Sequence, residues 1–200
     1  MHTCRSPVRF GGRMMEDLST LREKCLACTR CPLAATRQKV VFGVGPEDAK
    51  ILFVGEGPGA NEDAKGEPFV GAAGNLLDRM LDAVGLSREK NVYIANIVKC
   101  RPPQNRDPAP EEQDACIGWL RAQTAILKPC VIVCLGRIAA CRIISPDFRV
   151  TRQHGVFTER NGVWLMGTFH PAALLRNPAQ KPDAFADFLA LRDRLREWDI

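Results

Sequence analysis

The chain has no apolar run approaching the ~20 residues needed to span a bilayer, which excludes a helical membrane segment. It has no internal repeat and no low-complexity tract, so repeat architectures and polar arrays are excluded as well. The first fifteen residues carry Arg5, Arg9 and Arg13 but no apolar core, which argues against a secretory signal. Residues 1–17 are expected to form a loose extension ahead of a single domain over 18–200. The glycine-rich stretch near residue 55 lacks the G-K-[ST] ending of a Walker loop. The nine cysteines are an odd number, and without an export signal they argue against a secreted disulfide framework.

In bulk, the composition is ordinary. A hydrophobic fraction of 46% and a charged fraction of 26% are those of a soluble globular protein, and 200 residues suffice for a real core. The net charge of +5 permits a polyanionic partner without demanding one.

Four short β-rich runs, Ile51–Val54, Val92–Ile97, Val131–Leu135 and Val163–Met166, are nearly continuous in apolar residues, as strands covered on both faces are. Helical patterns separate them. Leu76, Leu77, Met80, Leu81 and Val84 share one face, closed by Gly85. Pro110, Glu111 and Glu112 open a helix that should run to Leu127 and stop before Pro129. Another is expected from Arg137 to Ile144. A last one, from Pro182 to Trp198, would turn Phe185, Phe188, Leu191 and Leu195 inward. The alternation predicts an α/β fold, a three-layer α/β/α arrangement with a central four-stranded parallel sheet flanked by helices. In such a sheet all strand C-termini open on one edge, so Glu56, Asn96, Gly136 and His170 should converge there.

The first strand ends in Gly-Glu-Gly-Pro-Gly, where the backbone can turn tightly and approach a ligand closely. A second loop of small residues follows, with one large aromatic, Phe69, in its middle. The pair suits a flat polar ring. A dinucleotide reading is disfavoured, because Pro58 has no N–H to offer a phosphate and Asn96, not an acid, closes the second strand. Cys25, Cys28 and Cys31 form C-x2-C-x2-C, with Cys100 and Cys116 far downstream. Thiolates so spaced can hold zinc or an iron–sulfur cluster. Spacing decides neither the metal nor which two of the first three are ligands. Cys130, Cys134 and Cys141 lie in or beside apolar segments and read as buried free thiols. His170 opens H-P-A-A-L-L-R. Its leucines are either an apolar wedge for a base stack or the start of a helix facing the core.

Together, CTRCPL at 28–33, GEGPGANEDAKGEPFVGAAG at 55–74, NIVKCRPPQNRDP at 96–108, Cys116 and HPAALLRNP at 170–178 resemble a family 4 uracil-DNA glycosylase, the iron–sulfur branch of that superfamily. The resemblance spans residues 20–195. It implies a base-excision repair enzyme that flips uracil out of DNA, hydrolyses its N-glycosidic bond and leaves an abasic site. It implies a [4Fe–4S] cluster on Cys28, Cys31, Cys100 and Cys116, with Cys25 a bystander. Gly55, Glu56, Gly57, Phe69, Asn96 and His170 would contact uracil, and Glu56, Glu62 and His170 would carry the chemistry. Leu174 and Leu175 would enter the base stack, with Arg176 on the backbone. Arg101 and Arg106 are further candidates for phosphate. The partner would be uracil-containing DNA, single- or double-stranded, with no membrane; a monomer is expected, in the cytoplasm and on the nucleoid of a prokaryote.

Two positions depart from the better-known family 1 pattern: Gly57 stands where an aspartate positions water, and Gly59 where a tyrosine blocks the thymine methyl. Glu56 and Glu62 are the carboxylates available instead. A covalent uracil-DNA trap would need a histidine in the loop after the second strand, and CRPPQNRDPAP has none. An electron carrier would leave Asn96, Phe69 and His170 without a shared purpose.

Overall fold

A computed structural model describes residues 17–200. The expected extension lies outside them except for Asp17, which caps the first helix by accepting from Thr20 N at 2.7 Å. The elements are α1 (Leu18–Leu26), β1 (Ile51–Gly55), α2 (Ala60–Lys65), α3 (Ala72–Asp82), β2 (Val92–Asn96), α4 (Pro110–Leu127), β3 (Val131–Leu135), α5 (Arg137–Ile143), α6 (Val150–Gln153), β4 (Phe157–Arg160), β5 (Val163–Thr168), α7 (Pro171–Arg176) and α8 (Lys181–Trp198).

The sheet runs β2-β1-β3-β5-β4. Its first four strands are mutually parallel, as the apolar runs predicted. The count of four is corrected to five: β4 pairs antiparallel with β5 at the edge. β4 escapes an apolar-run reading because Thr158, Glu159 and Arg160 are all exposed. Asn161 and Gly162, both at positive φ, make the tight turn between the two strands.

Every residue of β1, β2 and β3 is buried, because helices cover both faces. Leu52 and Val54 pack with residues of α1 and α4; Ile51 and Phe53 pack with residues of α3 and α8. Phe53 meets Phe188 of α8 at a centroid distance of 5.8 Å. Phe188, Leu191 and Leu195 face inward as expected, but Phe185 is 37% exposed and leaves the core face. Asp187, buried on the same helix, accepts from Thr168 Oγ1 at 2.5 Å and from His154 Nδ1 at 2.8 Å. α8 is thereby tied to the end of β5, two residues before His170. Among the described residues no helix is long and apolar enough to cross a membrane.

Truncating Phe188 to alanine should cost about 3–5 kcal/mol in urea denaturation, because its ring is fully buried. Phe185→Ala should stay within about 0.5 kcal/mol. Equal losses would return Phe185 to the core.

Candidate active site

β1 and β2 end side by side, with Gly55 in register with Asn96. The pairing continues past both strands, Ile97 N donating to Gly55 O at 3.0 Å and Val98 N to Glu56 O at 3.1 Å. Gly55 matters by what it lacks. A Cβ there would lie 2.4 Å from Asn96 Oδ1 and 2.7 Å from Phe69 Cζ, so only glycine leaves room for both the amide and the ring. Beyond them opens a cleft of about 470 Å³, lined by Glu56, Gly57, Glu62, Phe69, Asn96, His170 and Arg176 among others. The predicted convergence on one sheet edge is therefore present.

Asn96 is 1% exposed, and its Oδ1 has no hydrogen-bond partner. A buried carbonyl oxygen without a donor is costly, by about 1–3 kcal/mol. This one sits in the wall of the cleft, where a ligand N–H would satisfy it.

Glu62 has a different job. From α2 its Oε2 accepts from Gly59 N at 3.1 Å, and its Oε1 accepts from Val70 N at 2.9 Å and Gly71 N at 3.1 Å. One carboxylate thus joins both glycine-rich loops. The neighbouring Asp63 is buried and points the other way, accepting from Gln38 N at 2.9 Å and Lys39 N at 3.3 Å.

His170 caps α7, its Nδ1 accepting from Ala172 N at 3.1 Å. That bond leaves the proton of a neutral ring on Nε2. Burial, with Arg176 adding to it, holds the imidazole pKa down at about 4, so the ring is neutral at physiological pH. The ring lies 5.6 Å from that of Phe69, tilted by 31°. Glu56 is pushed up to about 7, mainly by burial and further by Asp107, while Arg137 and Arg176 pull it back.

The leucines divide between the two readings. Leu174 is fully buried among α3 and α8 residues, which removes it as a wedge in this conformation; Leu175 is 40% exposed. Arg176 lines the cleft. Arg101 donates to Asn105 Oδ1, and Arg106 is held by Glu112 at 2.6 and 2.8 Å, so both have partners inside the protein. Sequence reasoning missed Asp107 and Arg137, which line the cleft and pair at 2.5 Å. The pair spans thirty residues, so no local pattern marks it.

Away from the cleft, Cys25, Cys28, Cys31, Cys100 and Cys116 rim one small hollow with Arg30, Arg37, Lys99 and Trp119. Three of these sulfurs accept N–H donors: Cys28 from Trp119 Nε1 at 3.4 Å, Cys100 from Arg37 Nη1 at 3.4 Å and Cys116 from Lys99 N at 3.2 Å. Cys134 and Cys141 are free thiols as expected. Cys130 is disulfide-bonded and departs from that expectation.

A family model for the uracil DNA glycosylase superfamily matches residues 42–192. The chain is 46% identical over 182 residues to a type-4 uracil-DNA glycosylase of Archaeoglobus fulgidus, covering 87% of this chain and 91% of that protein. It is 47% identical over 168 residues to the type-4 uracil-DNA glycosylase of Thermotoga maritima, covering 81% and 85%. A type-5 uracil-DNA glycosylase of Thermus thermophilus is 36% identical over 154 residues, covering 62% of this chain and 70% of its own length.

The raised Glu56 has a consequence for stability. A carboxyl whose pKa is higher when folded stabilises the fold fully below its unfolded value of 4.5 and loses that contribution as pH rises to about 7. Glu56→Gln should therefore melt at a higher temperature than the parent at pH 8, with the difference closing towards pH 4. A variant that melts lower at pH 8 would contradict the burial of this charge.

Proposed function

The chain belongs to the type-4 branch of the uracil-DNA glycosylase superfamily, and from that premise we propose a DNA repair glycosylase that excises uracil and leaves an abasic site. The orphaned Asn96 Oδ1 carries the reading. A side-chain amide can accept from uracil N3–H and donate to O4; cytosine offers the opposite pattern and would leave both groups unpaired. Phe69 lies against the same pocket to stack on the extruded ring, a contact worth roughly 1–3 kcal/mol.

As the glycosidic bond breaks, positive charge builds on the sugar and negative charge on the departing base. His170, neutral and with its proton on Nε2, donates a hydrogen bond to uracil O2 and so stabilises the leaving group. Glu56 is the carboxylate we assign to the attacking water. It faces the cleft, whereas both oxygens of Glu62 already serve three backbone N–H groups. Glu62 also occupies the wall beside Gly59, where an added Cβ would meet its Oε2 at 2.7 Å. We assign exclusion of the thymine methyl to this wall. Arg176 and the exposed Leu175 would face the DNA, Leu175 as the wedge.

Five cysteine thiols rim one hollow, with Arg30, Arg37 and Lys99 beside them, a donor set suited to an iron–sulfur cluster. Cys28, Cys31, Cys100 and Cys116 would hold a [4Fe–4S] centre. Bound there, it would join the segment after α1, the loop after β2 and the start of α4. The N–H donors to three of the sulfurs are the outer partners such a group requires.

An oligonucleotide carrying one uracil should be cut only after alkali, while its thymine counterpart stays whole; an uncut uracil strand would refute the glycosylase reading. The single-turnover rate should fall on the acid side with an apparent pKa near the Glu56 value of about 7, and Glu56→Gln should lose that limb. Cys100→Ala should give colourless, less stable protein, and Cys25→Ala should keep the cluster's absorbance. Colourless Cys25→Ala would overturn the ligand set.

A further inference from the structure

Phe69 stands in a conformation that a bulky side chain rarely adopts, with φ at +54°. Something must hold it. On its C-terminal side, Glu62 takes the N–H groups of Val70 and Gly71. On its N-terminal side, the holder is a residue that does not line the cleft. Arg88, in the loop after α3, donates from Nη1 to Pro68 O at 2.8 Å and from Nη2 to Phe69 O at 2.9 Å. The same guanidinium is anchored by Asp78 of α3, with Nε and Nη2 lying 2.8 and 2.7 Å from Oδ1. Its side chain is 16% exposed, so solvent does little to weaken these bonds. α3 presses closely on the same peptide: a Cβ at Gly74 would fall 1.9 Å from Phe69 O.

We propose that Arg88, braced by Asp78, is a positioning residue that fixes the two carbonyls around Phe69 and thereby sets the ring's tilt against the flipped base. The proposal rests on the uracil reading for its purpose, not for its geometry. Three donors of one planar fork are shared between a carboxylate and two carbonyls. Lysine offers a point charge and no such fork, so it would not replace arginine. Freed from this brace, the peptide would relax towards negative φ. The ring would then leave the position beside His170 and the amide of Asn96 that Gly55 keeps open.

The test compares Arg88→Met and Arg88→Lys with the parent in single-turnover excision from a uracil-containing duplex. Arg88→Met should lose about tenfold, within the range of a displaced base stack. Arg88→Lys should not restore it. Affinity for a duplex carrying an abasic site, which presents no base to stack, should be unchanged. In a Phe69→Ala background the same substitution should cost less than about twofold, because its intermediary is gone. An undiminished loss in that background would overturn the proposal.

A second readout needs no substrate. Fluorophenylalanine labelling, with the Phe69 signal assigned by its loss in Phe69→Leu, should show that resonance displaced in Arg88→Met. An unmoved resonance would overturn the proposal. Asp78→Asn carries the same measurement on a half-exposed side chain should Arg88→Met fail to fold. A displaced resonance there supports the brace and an unmoved one sinks it. If the parent leaves uracil uncut while the resonance still moves, the uracil reading falls and the brace stands.

Discussion

The site depends first on a matter of register: Gly55 lies directly beside Asn96 in a parallel pair. A slip of one residue would turn every side chain of β2 to the opposite face of the sheet and bury the amide in the wrong layer. Packing from both sides prevents the slip. Once the register is set, the parallel order β2-β1-β3-β5 brings the four strand ends to one edge. Gly136 N then donates to Thr168 O at 2.8 Å, which ties the end of β3 to the strand that delivers His170.

The electrostatics of that edge have an economy of their own. Burial drives both titrating groups towards neutrality, raising Glu56 and lowering His170. The proposed chemistry asks for different things from the two: a charged carboxylate and an uncharged imidazole. Arg176 satisfies both demands, because its positive charge lowers the pKa of each. A carboxylate in its place would push both pKa values up, against what departure of an anionic base requires.

The sheet's parallel body and the cleft's main residues were legible because their signals are local. Short apolar runs mark buried strands, and unusual residues just after such runs fall on one edge. β4 was hidden by its exposed edge position, although Asn161-Gly162 is a strong short-range hairpin signal. Phe185 follows a helical period but lies at the margin of the buried face of α8. The fates of Leu174 and Leu175 turned on how far α7 rotates, which a six-residue helix does not declare in sequence. Asp107 with Arg137, and Arg88 with the carbonyls of residues 68 and 69, are partnerships between distant chain segments. Composition and periodicity cannot see them. The two candidate carboxylates, Glu56 and Glu62, were equivalent as letters and became distinct only through the backbone donors around Glu62.

α2 is only six residues long, yet its consecutive carboxylates, Glu62 and Asp63, serve opposite neighbours. One grips the backbone of the two glycine-rich loops beside the cleft, and the other grips residues 38 and 39, next to Arg37 and its bond to Cys100. Successive residues of a helix are turned by about 100°. Inserting or deleting one residue in this stretch would swing one carboxylate off its partners while the other held. The segment from Gly59 to Gly71 is therefore fixed in length as firmly as in composition, and loop-length variation, tolerated over most protein surfaces, is barred here by geometry.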